Sequence, residues 1–110
     1  MTVSHFAIHE TQEGDSVRLC LTGELDIASV GVLEDRLAGL RGETESVCLD
    51  LSGLQFIDSL GLHALIRAME DATRNGWRLQ IDRNVPPQAM RVFELVHFER
   101  LIPGYDSSKA

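Results

Sequence analysis

Four stretches of the chain alternate between apolar and polar positions. Phe6 and Ile8 share one face of the stretch HFAIH, and Val17, Leu19 and Leu21 oppose Arg18, Cys20 and Thr22. Val47, Leu49 and Leu51 oppose Cys48 and Asp50, and Leu79 and Ile81 oppose Arg78 and Gln80. A period of two is the mark of a strand with one buried face. Gly14-Asp15 supplies a hairpin turn between the first two strands. Elsewhere the apolar residues recur at helical spacing. Val30, Leu33, Leu37 and Leu40 mark one helix, and Leu62, Leu65, Ile66 and Met69 mark a second that stops at Asn75-Gly76. Pro86-Pro87 opens a third, carrying Ala89, Val92, Phe93 and Val96. SGLQFI, after the third strand, reads as a short loop, and a fifth strand is expected near Leu101 and Ile102.

The order β-β-α-β-α-β-α-β predicts an α/β fold with a mixed sheet. Crossovers between parallel strands are right-handed, so strands added on the same side of their predecessors put the helices on one face. The alternation agrees, because a sheet covered on both faces would show nearly continuous apolar strands. A doubly wound, flavodoxin-like sheet is the rival that this pattern disfavours. All 110 residues are expected to form a single domain, with 103–110 as a frayed tail.

Composition narrows the function. A net charge of −7 repels phosphate backbones and suits protein partners with basic patches. Aromatics are few and scattered. No apolar run is long enough for a membrane span, and MTVSHFAIHE lacks the charge and apolar pattern of a signal peptide. Cys20 and Cys48 have no metal-ligand spacing and are expected to be reduced thiols of a cytoplasmic protein.

The candidate chemistry lies in FIDSLGLHAL, residues 56–65. Asp58 or Ser59 can cap the second helix by accepting from the free N–H groups of its first turn. Capping needs only one such residue, and here there are two. Leu60 falls nearly opposite the buried stripe of that helix, as a contact residue would. Gly61 is a poor helix former and implies close approach, either of a partner's backbone or of the helix to its own sheet. Ser59 and His63 are four apart on one flank, yet no G-x-S-x-G elbow or third group accompanies them, which disfavours a hydrolase. His63 and Arg67 are alternatively placed to flank a charged group on Ser59. Asp26 follows the second strand. It reads either as a cap for the segment near Ala28 or Ser29, or as part of a surface shared with Ser59, since parallel strands bring their carboxyl ends together.

Together these strings resemble the STAS domain of the anti-sigma factor antagonist family over nearly the whole chain. Gly23, Glu24, Leu25 and Asp26 in VRLCLTGELD match the family's Gly-Glu-Leu-Asp. Asp50, Leu51, Asp58, Ser59, Gly61 and Leu62 in VCLDLSGLQFIDSLGL fall on its pattern, and VPPQAMRVFELVHFERLI resembles its last helix and strand. Leu60 stands where the family usually has a small residue, and His97 near its usual helix-ending glycine.

The resemblance implies a STAS fold, a mixed sheet with helices mainly on one face, and a binding module rather than an enzyme. It implies phosphorylation at Ser59 by an anti-sigma factor that is also a serine kinase. The unphosphorylated form would bind that kinase and free a sigma factor, and a serine phosphatase would reset the switch. Asp26, Asp58, Leu60, Gly61 and His63 would meet the partner. This chain needs no cofactor or metal of its own, and ATP and magnesium would belong to the kinase. It would act without nucleic acid or membrane insertion, as a monomer or weak dimer. The alternative is a STAS subunit of an ABC-type membrane transport assembly.

Overall fold

A computed structural model describes residues 6–98 of the chain. The expected fifth strand at Leu101 and Ile102 and the expected frayed tail lie outside the described residues. Seven elements follow in order: β1 (Ala7–Glu13), β2 (Ser16–Leu25), α1 (Val30–Leu40), β3 (Ser46–Ile57), α2 (Ser59–Asn75), β4 (Arg78–Ile81) and α3 (Pro87–Leu95). The sheet order is β1-β2-β3-β4. β1 and β2 form an antiparallel hairpin, while β2, β3 and β4 are parallel. Glu13 pairs with Ser16 across Gly14-Asp15, and Gly14 takes a positive φ of 65° that glycine adopts without strain.

The alternation read from the sequence is the burial pattern of the sheet. Val17, Leu19, Leu21 and Leu25 of β2 join Val47, Leu49 and Leu51 of β3, and Leu79 and Ile81 of β4, in one core. Leu33, Leu37 and Leu40 of α1, Leu62 and Leu65 of α2, and Ala89 and Phe93 of α3 pack against them. All three helices thus bury their apolar stripes on one side of the sheet.

The opposite face is polar. There Arg18 meets Glu13 at 3.3 Å, Asp82 at 3.0 Å and Asp50 at 3.6 Å, tying β1, β2, β3 and the exit of β4 together. Cys20 and Cys48 are half-buried free thiols on this face. Cys20 pairs in register with Asp50 and Cys48 with Arg18, so the two thiols are diagonal rather than directly opposite. Burial raises both thiol pKa values, and Asp50 beside Cys20 adds to the effect there.

One local reading is corrected. SGLQFI is not a loop but the second half of β3. Between Cys20 and Thr22 the partner strand advances from Asp50 to Gly53, and between Gly23 and Glu24 it advances from Leu54 to Phe56. Each step gives β3 one residue more than β2, as a β-bulge does. The buried positions therefore run 51, 54 and 57, and the period-two signal disappears although the pairing continues. Gly53 belongs to the first bulge: a side chain there would come within 2.8 Å of the Thr22 methyl and 3.0 Å of the Leu21 carbonyl oxygen.

Candidate functional site

The carboxyl ends of β2 and β3 lie side by side, Leu25 paired with Ile57, and each strand leads into a helix. The Asp58 N–H donates to the Leu25 carbonyl at 3.3 Å, fastening the start of α2 to the end of β2. Asp58 is the N-cap of α2. Its Oδ1 accepts from the backbone N–H groups of Leu60 at 3.0 Å and Gly61 at 2.9 Å, satisfying two of the donors that a helix start leaves open. Ser59 is therefore not the cap. It is the first residue of α2, exposed, and among the described residues its hydroxyl makes no hydrogen bond.

Leu60 is 46% exposed, as its place on the helix wheel predicts. Gly61 is buried, and an added Cβ would run into the Leu25 carbonyl oxygen and the Ile57 side chain. Of the two readings of Gly61, packing of the helix on its own sheet is the one observed. This corrects the expectation that Gly61 offers a surface to a partner: its lack of a side chain lets α2 sit against β2. His63 is exposed and makes no hydrogen bond to Ser59 among the described residues, so the two do not form a dyad. Arg67 is engaged by Glu34 of α1 at 2.8 Å and does not flank Ser59.

Asp26 has a local role of the expected kind. Its Oδ1 accepts from the Ala28 N–H at 3.0 Å, and its carbonyl accepts from Ser29 and Val30 at 3.0 and 2.9 Å. Ser29 is 2% exposed. Its hydroxyl donates to the Glu24 carbonyl at 2.7 Å and accepts from the Asp26 N–H at 3.0 Å. This buried hydroxyl pins the Asp26–Ser29 turn to the end of β2, leaving Ile27 74% exposed at its tip. Phe56, which pairs with Glu24, is 46% exposed at the same end of the sheet.

Three of the six exposed large hydrophobics among the described residues, Ile27, Phe56 and Leu60, thus lie at the strand ends that carry Asp26, Asp58 and Ser59. Sequence reasoning missed Ile27, Ser29 and Phe56. An apolar residue stranded in the turn ELDIAS, outside any periodic segment, was the available signal for Ile27. Among the described residues no group of three His, Cys, Asp or Glu is placed to hold a metal ion, and no helix is long and apolar enough to cross a membrane.

Comparison with known proteins bears on this arrangement. The anti-sigma-B factor antagonist of Bacillus subtilis (strain 168) is 22% identical over 91 residues, which are 83% of either chain. The anti-sigma factor antagonist SpoIIAA in its unphosphorylated form superposes with a TM-score of 0.74 at 19% identity, over 94% of this chain and 91% of that one. The Bacillus cell fate determinant SpoIIAA in its phosphorylated form gives a TM-score of 0.69 at 19% identity, over 94% and 95% of the two chains. At that identity the structural likeness carries the fold. The family described as "Mlab, STAS domain" matches residues 8–103, nearly the whole sequence, and the chain belongs to the STAS domain family.

Proposed function

We propose that this protein is an anti-sigma factor antagonist switched at Ser59. The unphosphorylated form binds an anti-sigma factor with serine-kinase activity and so releases a sigma factor. Phosphorylation of Ser59 ends the binding, and a serine phosphatase restores it. The protein acts in the cytoplasm as a monomer or weak dimer, and ATP and magnesium are the kinase's. The observation that carries the reading is the division of labour at the start of α2: Asp58 does the capping, leaving the Ser59 hydroxyl exposed and, among the described residues, without a hydrogen bond. The anti-sigma factor antagonists among its relatives support the role, and one of them, SpoIIAA, is known in both phosphorylated and unphosphorylated forms.

The physics of such a switch is local. A phosphoryl group adds about −1.5 to −2 charges at neutral pH. A helix start favours an anion by roughly 0.3–1 kcal/mol, but here the carboxylate of Asp58 already occupies the donors and repels a second anion. These effects oppose each other, so the fold is little changed. Binding is not protected in this way. A dianion inside a contact must be desolvated or must face acidic groups of the partner, and each 1.4 kcal/mol lost weakens binding about tenfold. No refolding is required.

The test starts from Ser59→Ala, which cannot be phosphorylated, used to capture partners from the native cytosol. Recovery of a GHKL-type kinase that phosphorylates the wild-type chain at Ser59 supports the proposal. Recovery of an ABC-type ATPase instead supports the transport-subunit reading. With the recovered kinase, Ser59→Asp should lose binding while its melting temperature stays within a degree or two of wild type, roughly the span of a surface substitution. A global loss of stability in Ser59→Asp would make Ser59 a structural residue and overturn the reading.

A further inference from the structure

We propose that the groove between α1 and α2, along the middle and last turns of α2, is a binding site for a small aromatic carboxylate. This site is independent of the switch at Ser59.

Two ion pairs join the helices along one flank, Glu34 with Arg67 at 2.8 Å and Arg41 with Asp71 at 2.7 Å. Around these pairs the helices leave a hollow of about 410 Å³. That volume falls within the range of about 300–1,000 Å³ typical of sites for small organic ligands, which combine an apolar lining with a few polar groups. Buried Leu37 and Ala64 and half-buried Ala68 and Trp77 supply the apolar lining. Both ion pairs are exposed, and exposed pairs contribute little to stability, so a ligand can rearrange them at small cost.

Trp77 is set in place before any ligand arrives. Gly76 ends α2 with a positive φ of 71°, and the Trp77 N–H then donates to the Ala72 carbonyl at 3.0 Å. The indole N–H donates to Asp71 Oδ2 at 2.8 Å. A fixed aromatic wall offers a large contact area and loses little conformational entropy on binding.

Hydrogen-bonding capacity defines the rest of the ligand. Arg41, Arg67 and Arg74 line the groove opposite Glu34, Glu70 and Asp71, so the formal charges cancel. The donors and acceptors do not. Asp71 is spent: its Oδ2 takes Arg41 and Trp77, and its Oδ1 takes the Asn75 amide at 2.6 Å. Glu34 holds Arg67, and Glu70 alone of the three carboxylates has no partner among the described residues. Each guanidinium carries five N–H donors. Arg41 bonds only Asp71, Arg67 bonds only Glu34, and Arg74 has no bond among the described residues. Donors are thus in excess, and a planar carboxylate is their natural complement. A phosphate suits the groove less. Arg41 caps the C-terminal end of α1 and Arg74 lies in the last turn of α2, so the open backbone groups nearby are carbonyls, which repel a multiply charged anion.

Trp77 is the chain's one tryptophan, so its indole N–H gives a single resonance that reports on the groove. The nitrogen-15-labelled protein is titrated with naphthalene-2-carboxylate and with the uncharged naphthalene-2-methanol. Two variants accompany wild type: Ala38→Leu, which fills the groove from an exposed position of α1, and Arg74→Glu. The carboxylate should shift the indole N–H saturably and bind about tenfold more tightly than the alcohol, and each variant should bind it about tenfold more weakly than wild type does. No saturable shift at Trp77, or shifts confined to the amides around Leu60, overturns the site. Wild-type affinity in either variant overturns it as well. Equal affinity for the alcohol overturns the assignment of a carboxylate. If Ala38→Leu melts below wild type, Arg74→Glu, altered at an exposed side chain, decides alone.

Discussion

Asp58 caps α2, and on the proposed function it also serves recognition. Its Oδ1 holds the N–H groups of Leu60 and Gly61, a structural task that a neutral amide can share. Its Oδ2 accepts no hydrogen bond among the described residues, and on the proposed function its charge, on the residue next to Ser59, helps the kinase recognise the serine. Mutation separates the two tasks. Asp58→Ala should cost about 0.5–2 kcal/mol, and Asp58→Asn much less, because asparagine caps as well. If the charge matters to the switch, Asp58→Asn should nevertheless be phosphorylated more slowly or bound more weakly. Melting curves and kinase rates on the two variants check this, and an Asp58→Asn protein phosphorylated and bound like wild type would leave Asp58 as a cap alone. The pair Asp-Ser was legible in the sequence as an excess of capping residues, and so was the exposure of Leu60. Which of the two does the capping was not legible. That depends on the backbone at Asp58, which is extended with φ of −105° and ψ of −174°, so its side chain can turn back onto the helix.

At the scale of elements, the sequence fails where pairing and periodicity part company. β2 alternates cleanly to Leu25 and was readable along its length, whereas β3 takes up two extra residues opposite it and reads as a loop after Leu51. Bulges commonly re-aim side chains near functional sites. Here they bring Ile57 onto the core side and turn Phe56 outward, just before the chain reaches Asp58. The end of α3 falls short of the sequence reading: the helix stops at Leu95, and Val96, expected on its apolar stripe, is the C-cap and 50% exposed; the chain then turns at His97 with φ of 61°, a conformation histidine tolerates better than most residues. Gly61 decides how α2 meets this sheet. Alanine would favour the helix by about 1 kcal/mol, but its Cβ would collide with the Leu25 carbonyl, which is backbone and cannot step aside as a side chain can. Overpacking typically costs about 1–3 kcal/mol, so Gly61→Ala is expected to be less stable than wild type in denaturant titration. It should also bind the partner poorly, because displacing α2 from β2 shifts Ser59 and Leu60 relative to the end of β2 to which Asp58 is fastened. A Gly61→Ala protein as stable as wild type would mean that the helix can lift without penalty.

Across the whole molecule, the proposed docking region and the ionic cohesion of the sheet occupy different places. The strand ends carry exposed apolar side chains and unspent carboxylate oxygens, whereas the open face of the sheet carries the ionic cluster around Arg18. Arg18 draws on Glu13, Asp50 and Asp82, which come from separate parts of the chain, so its guanidinium is a cross-sheet tie as well as a surface charge. The Asp82 pKa lies below the ordinary carboxylate value because its Oδ1 accepts the Asn84 N–H at 2.9 Å and its Oδ2 faces Arg18 at 3.0 Å. The sign of the linkage follows from that direction. The unfolded chain binds a proton at Asp82 more readily than the folded one. The stabilisation is therefore complete above the ordinary carboxylate pKa of about 4 and is lost as pH falls through the lower folded value. Asp82→Asn keeps an acceptor for Asn84 but gives up the charge that faces Arg18. It should melt below wild type at neutral pH, and the gap should close as both proteins are acidified below about pH 4. Thermal melts between roughly pH 2 and pH 7 measure it. A gap that stays constant across that range would show that the carboxylate contributes through packing rather than through its charge. Kinase binding at neutral pH gives the second half of the test. Asp82 belongs to the open-face tie and not to the strand ends, so Asp82→Asn should bind like wild type wherever it remains folded. Lost binding in the folded variant would mean that the docking surface reaches around the sheet to its polar face.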